Sequence, residues 1–270
     1  MTMIAINDQE FNQFQKLIHQ LAGIHLSPAK KALVGGRLAK RLTQYRLDSY
    51  GDYFKLLTSS HNPDELQVAV DLLTTNETYF FREPKHFDFL RNRILAGHKP
   101  GSPFRVWSAA CSSGEEPYSI AMVLADHLGD SQWEVVASDI STRVLAKART
   151  GHYPMDRTDG ISREHLSRYC LKGVGSQENT LLVEQKLRSR VNFMQVNLNQ
   201  TLPRLGEFDV IFLRNVMIYF NQETKRQIVQ RILPLLKRGG HFVISHSESL
   251  NGVAGTDMLY PLAPSIYRKP

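Results

Sequence analysis

The chain has 270 residues, 42% of them hydrophobic, and carries a net charge of +7 with a pI near 9.4. That is enough apolar material to pack one large or two small domains, and no apolar run approaches the roughly eighteen residues that would span a membrane. Two cysteines, Cys111 and Cys170, exclude a disulfide scaffold. With no basic-then-apolar leader at Met1–Asp8, they point to a reducing cytoplasm. The basic excess favours an anionic partner by long-range steering, without choosing among nucleic acid, an acidic membrane surface and a carboxylate-rich protein.

The first 60 residues read as helices. Asn7 or Asp8 caps a helix whose apolar positions Phe11, Phe14, Leu17, Ile18 and Leu21 recur at three- and four-residue intervals, and Gly23 ends it. Ser27 and Pro28 open a second, with Leu33, Val34, Leu38 and Leu42 on one side and Lys30, Lys31, Arg37, Lys40, Arg41 and Arg46 on the other. A third covers Ser49 to Thr58. Residues 1–60 hold eight Lys/Arg against four Asp/Glu, so over half the excess charge sits here. It suits either a solvated helix face or the docking of an anionic partner. Pro63-Asp64-Glu65 begins a helix through Leu73. Residues 74–83 then alternate polar and aromatic positions without Gly or Ser, the composition of an ordered linker. Asn76, Thr78 and Arg82 there fit a polar lid over a ligand or a purely structural link.

Residues 104–119 form the organising corner. Phe104 to Ser108 is an apolar, β-prone run, Ala109 to Gly114 a turn of small residues, and Tyr118 to Leu128 helical, with Pro117 suited to an early helical position. A second strand, Trp133 to Ser138, closes on Asp139, placed to grip both hydroxyls of a ribose. One glycine is too few for a pyrophosphate-hugging loop, and Glu115 and Glu116 repel phosphate. A ligand with a ribose, no phosphate and a positive charge fits, S-adenosylmethionine, and so does an ordinary βαβ corner with a solvated acidic turn.

Thr142 to Arg149 reads as a helix, and residues 151–190 as irregular, with a small hairpin insertion from Leu171 onwards. Strand three is predicted at 191–198 and a doubly covered central strand at 208–213. A helix is predicted from Glu223 to Leu236, terminated by Lys237-Arg238-Gly239-Gly240, then strand five at 241–245. Met258-Leu259-Tyr260 and Ser265 to Arg268, set off by Pro261 and Pro264, suit a closing antiparallel pair.

Four segments together resemble the bacterial chemotaxis receptor methyltransferases, the CheR family: Leu73 to Arg82, Ser113 to Ser119, Ala137 to Ile140, and Arg214 to Phe220. The resemblance implies an α/β fold: a small all-α N-terminal domain (1–75), a linker that contributes to the cofactor site (76–90), and a class I methyltransferase domain (91–270). That domain is a doubly wound mixed sheet with a small antiparallel β-subdomain insertion at about 167–190. It implies methyl transfer from S-adenosylmethionine to glutamate carboxylates on chemoreceptor cytoplasmic helices, tuning adaptation, by a cytoplasmic monomer that neither binds nucleic acid nor inserts into a membrane. Carried over by motif, the cofactor contacts fall on Asn76, Thr78, Arg82, Glu116 (favoured over Glu115 by its distance to Asp139), Asp139, Asn197, Leu198, Arg214 and Asn215. Arg82 and Tyr219 are the positions placed near the transferred methyl, and no metal is implied. The basic N-terminal helix would face acidic receptor helices, and the stretch near Gly173–Gly175 resembles a subdomain that holds a receptor's C-terminal tether peptide.

A glutamate acceptor is ionised at neutral pH, so alignment and desolvation carry the chemistry and no general base is required. The sequence agrees in having no Ser-His-Asp order or metal-ligand spacing. Of the rivals, an amino-group methyltransferase acting on nucleic acid carries an Asn/Asp-Pro-Pro-aromatic turn where this chain has Arg214-Asn215-Val216-Met217. A cytosine-C5 enzyme needs a Pro-Cys nucleophile, and neither cysteine follows a proline. A silent receptor-binding module that keeps the cofactor for structure is opposed by the presence of Arg82 and Tyr219.

Overall fold

The computed structural model describes residues 4–59, 62–99, 101–253, 255–256 and 258–270. Helix α1 (Asp8–Ala22) starts from a capping box in which Asn7 and Glu10 bond each other's backbone N–H, and it ends on Gly23 in the left-handed conformation. Helices α2 (Lys31–Tyr45), α3 (Tyr50–Thr58) and α4 (Pro63–Leu73) follow. The predicted second helix opens with a 3₁₀ turn, Pro28–Lys30, ahead of α2. Phe14 is the centre of this domain, packed against Tyr50, Tyr53 and Phe54. Buried Glu65 ties α4 to its neighbours through Arg41 and the hydroxyls of Tyr45 (3.0 Å) and Tyr53 (2.6 Å).

The basic side of α2 is only partly a solvated face. Arg41 is committed to Glu65, Lys31 pairs with Asp8 at 2.6 Å, and Arg37 donates to the carbonyls of Leu73 and Thr74 at 3.1 Å each. Lys30, Lys40 and Arg46 stay exposed.

After α5 (Pro84–Phe89), extended by a π-helical turn Leu90–Ile94, strands and helices alternate: β1 (Phe104–Ser108), α6 (Glu115–Leu128), β2 (Trp133–Asp139), α7 (Thr142–Thr150). A small antiparallel sheet is formed by β3 (His152–Pro154), β4 (Cys170–Lys172) and β5 (Thr180–Val183), with α8 (Arg163–Tyr169) inside it and α9 (Gln185–Arg188) after it. Its first strand comes from within the stretch read as irregular. Then come β6 (Val191–Gln195), β7 (Phe208–Phe212), α10 (Gln222–Ile232), β8 (Leu236–Val243), β9 (Tyr260–Ala263) and β10 (Ile266–Arg268).

The main sheet has the order β6-β2-β1-β7-β8-β10-β9; the first five strands are mutually parallel, and β10 pairs antiparallel with both β8 and β9. This is the doubly wound mixed sheet, with an all-α domain ahead of it and a small β insertion, that the sequence predicts. Two local readings change. Leu236 does not end a helix but starts β8, because Phe208 of β7 pairs with it and a register shift absorbs the Lys237–Gly240 segment. Pro261 does not separate the closing strands: it lies inside β9, which tolerates it as the sheet's outer edge.

The helical domain is fixed to the sheet's carboxyl edge. Asp71 of α4, 5% exposed, accepts from the backbone N–H groups of Thr142 (3.0 Å) and Arg143 (3.1 Å) and from the Thr142 hydroxyl (2.8 Å), so it caps α7 from another domain.

Candidate active site

The carboxyl ends of β1, β2 and β7 open into one cleft of about 910 Å³ of space not filled by atoms. In open α/β sheets, ligands bind in the crevice outside this edge. All ten predicted site residues line it: Asn76, Thr78, Arg82, Glu116, Asp139, Asn197, Leu198, Arg214, Asn215 and Tyr219.

The β1–α6 turn is held tightly. Gly114, at φ 98, leads into α6, and a Cβ there would lie 2.7 Å from the Tyr153 hydroxyl and 2.9 Å from the Ala148 Cβ, so only glycine fits. The turn's two glutamates separate at once. Glu115 is fully buried away from the cleft, with its Oε2 taking the Ser113 hydroxyl at 2.7 Å. Glu116 faces the cleft, its Oε1 taking the Ser108 hydroxyl and its Oε2 the Arg214 guanidinium, both at 2.7 Å.

Asp139 ends β2 with its Oδ2 accepting from Ser112 N–H and its Oδ1 from Ser141 N–H, each at 2.9 Å. Burial raises its carboxyl pKa, and those two N–H bonds oppose the rise. Each oxygen keeps lone-pair capacity for a further donor. Ser112 holds φ 49 and Asn215 φ 57, left-handed backbone at two residues that line the same cleft.

Arg214 is the hub. Its side chain is 1% exposed and sits between Glu116 (2.7 Å) and Glu83 (3.4 Å), above the Phe87 ring, while also donating to the Arg82 carbonyl. Its Nε is a buried donor with no partner among the described residues. Arg82 is half-buried, donates to the Glu77 carbonyl at 2.8 Å and lies over the Tyr79 ring. Thr78 is buried, and Asn76 offers its carbonyl to the Ser112 hydroxyl at 3.0 Å, so the linker closes one wall. Leu198, with Ile140, Val196, Phe220 and Ile24, supplies an apolar wall. Asn197 is in the lining, but its amide is spent on the Leu21 carbonyl (2.7 Å) and the Asn199 N–H (3.0 Å).

Sequence reasoning missed a second layer. Glu248 accepts from the N–H groups of Met217 (2.7 Å), Ser245 (2.9 Å) and Asn215 (3.1 Å) and so shapes the turn after β7. Glu83 takes the Ser245 hydroxyl at 2.8 Å. The signal was a polar quartet, Ser245-His246-Ser247-Glu248, directly beyond a parallel strand at the edge that also carries Asp139. For Ala22 and Ile24, which also line the cleft, the sequence held no signal beyond helix-end packing.

Burial would raise Glu83, but the Ser245 hydroxyl, Arg214 and the His246 N–H together hold it at about 2. Burial, then Arg214, pushes the neighbouring His86 down to about 3. A depressed group stabilises the fold above its unfolded pKa and loses that contribution as pH falls through its folded value. Stability is therefore expected to fall from pH 6.5 towards 3 through His86, with Glu83 adding to the fall between 4.5 and 2. Thermal melts at pH 8 and pH 5 check this. His86→Gln should narrow the gap between them, and an unchanged gap would remove His86 as a cause.

The lining suits S-adenosylmethionine: a carboxylate for ribose hydroxyls, an apolar wall for adenine and acidic side chains beside the place of a cationic group. Comparison with known proteins agrees. Residues 9–74 match the family model described as "CheR methyltransferase, all-alpha domain", and residues 76–262 match "CheR methyltransferase, SAM binding domain". The chain is 44% identical to the "Chemotaxis protein methyltransferase" of Escherichia coli (strain K12), over 92% of this chain and 87% of that protein. It is 43% identical to the protein of the same name from Salmonella typhimurium, covering 93% and 87%, and 40% identical to "Chemotaxis protein methyltransferase 2" of Pseudomonas aeruginosa, covering 96% and 92%.

Proposed function

The chain belongs to the CheR methyltransferase family, with an S-adenosylmethionine-binding domain, and from that membership we propose that it methylates glutamate side-chain carboxylates on chemoreceptor cytoplasmic helices. The observation that carries this reading is the convergence of four sequence motifs, 143 positions apart at their extremes, on one cleft built around Asp139 and Arg214. Asn76 and Tyr219 mark those extremes.

S-adenosylmethionine supplies an electrophilic methyl carbon on a sulfonium. The protein's part is to bind, align and exclude water. Asp139 holds the ribose hydroxyls on its free lone pairs, while Leu198, Ile140, Val196 and Phe220 cover the base. Arg214, held between Glu116 and Glu83, fixes the wall against which the amino-acid end of the ligand would lie. Glu116 thus acts through Arg214 and Ser108, and Asn197 acts by holding the α1 end in place. Arg82 and Tyr219 line the cleft, which supports a role for the first in receiving the incoming glutamate and for the second, its hydroxyl without a partner among the described residues, in orienting it. No histidine or cysteine is among the described residues lining the cleft. An acceptor that arrives ionised needs neither a base nor a covalent intermediate, and alignment alone is worth roughly 7–11 kcal/mol.

Lys40 on α2, with Lys30 and Arg46 at its two ends, are exposed charges left for acidic receptor helices. At the small sheet, Leu171 and Val174 are 52% and 79% exposed beside Gly173–Gly175, which supports a seat there for a receptor tether peptide. The test is incubation with methyl-labelled S-adenosylmethionine and either a receptor cytoplasmic fragment or RNA. Base-labile label on the receptor alone is the expected result. Label on RNA would overturn the reading, and cofactor binding with no transfer would favour a silent binding module.

A further inference from the structure

The end of α1 belongs to the helical domain, yet five contacts clamp it to the two segments that frame the cleft. Asn197 and Asn199 donate to the carbonyls of Leu21 (2.7 Å) and Gln20 (3.3 Å). His25 N–H donates to the Tyr219 carbonyl at 2.7 Å, and Ile24 pairs with Phe220 as an isolated antiparallel bridge. His19 lies 3.2 Å from the Asn221 amide. Between these contacts Gly23 stands at φ 73, and a Cβ on it would lie 2.6 Å from Thr224 Cγ2 and 3.2 Å from Asn199 Cγ.

We propose that the turn Gly23–Leu26 is a positioning element: through it the helical domain fixes the main chain of Tyr219–Phe220 and closes the cleft wall formed by Ala22 and Ile24. The proposal rests on the methyl-transfer reading and adds a route by which load on the helical domain reaches the site. Two facts favour a positioning role over mere packing. The shortest backbone bond, from His25 N–H, runs to the carbonyl of Tyr219, whose side chain lines the cleft, and not to a remote loop. The closest approach, at Gly23, leaves no room for even one added methyl, so the turn cannot shift towards α10 to relax.

Gly23→Ala tests it. The added Cβ must push the turn off Thr224, and displacement of this order at a remote support costs between about 10- and 100-fold in rate. Expected is a kcat loss in that range, measured with receptor fragment at saturating S-adenosylmethionine, with a smaller change in KM. Amide hydrogen exchange, read without any turnover, should quicken together at 23–26 and 217–221. Thr224→Ser removes the obstructing methyl: alone it should behave like the wild type, and in the double variant it should restore part of kcat and of the protection. Should Gly23→Ala fail to fold, His19→Ala with Asn199→Ala cuts two exposed ties without touching the cleft; it should lower kcat about 3-fold, the size of a modest coupling. The proposal is overturned if exchange at 217–221 is unchanged in both variants. It is equally overturned if kcat stays within about 2-fold of the wild type. Wild-type protein inactive on receptor would instead defeat the methyl-transfer reading, leaving the exchange measurement to judge the turn.

Discussion

Replacing Arg214 with Ala is expected to cost the folded state about 3–5 kcal/mol, the usual consequence of removing one member of a buried ion pair. The side chain is 1% exposed, and the carboxylates it separates, Glu116 and Glu83, are themselves only 12% and 16% exposed. Without the guanidinium, two anions face each other across a space that water does not reach freely. The Arg82 carbonyl also loses its donor, which loosens the linker wall. Urea unfolding measures the loss. Arg214→Ala combined with Glu116→Gln should cost less than the sum of the two single changes, because the second removes one of the stranded charges. A loss under about 1 kcal/mol for Arg214→Ala would mean that the carboxylates are hydrated and that the hub is a surface pair.

This network also marks the boundary of what the sequence discloses. Local signals were strong where local chemistry decides: the Asn7 cap, Gly23 as a helix stop, Ser49 before α3 and the lone Gly114 are all choices a few residues make among themselves. The cleft residues were legible for another reason, since each belongs to a motif at the carboxyl end of a strand or in the linker. Glu83 carried no such mark. It sits between Arg82 and Pro84 and reads as an ordinary acidic residue at a helix start, yet its partner Ser245 is 162 residues away. Asp71, the cap of α7, likewise acts 71 residues down the chain. Leu236–Gly240 reads as a helix ending because its basic residues and glycines are what a C-terminus prefers; pairing with β7 overrides that preference. Asn197 illustrates the reverse case. Its place in the cleft was legible, but its amide is committed to the α1 end, a contact no motif encodes.

Asp139→Ala is expected to weaken binding of S-adenosylhomocysteine by about 1–3 kcal/mol, roughly 5- to 150-fold, the cost of losing hydrogen bonds to a charged acceptor. The carboxylate does two jobs, and the variant removes both. It meets the ligand, and it holds the N–H groups of Ser112, in the cleft lining, and of Ser141, ahead of α7. Stranding those buried donors also costs stability, so affinity has to be measured well below the variant's melting temperature. Asp139→Asn separates the two roles. An amide oxygen can accept from one of the two N–H groups, but its NH₂ then confronts the other, donor against donor. The asparagine variant should therefore fall between Asp139→Ala and the wild type in stability while remaining weak in affinity. Calorimetry returning an unchanged affinity for Asp139→Ala would take this residue out of the cofactor site. The ribose would then have to be held by the linker wall, and the position of Asp139 at the tip of β2 would be a matter of folding alone.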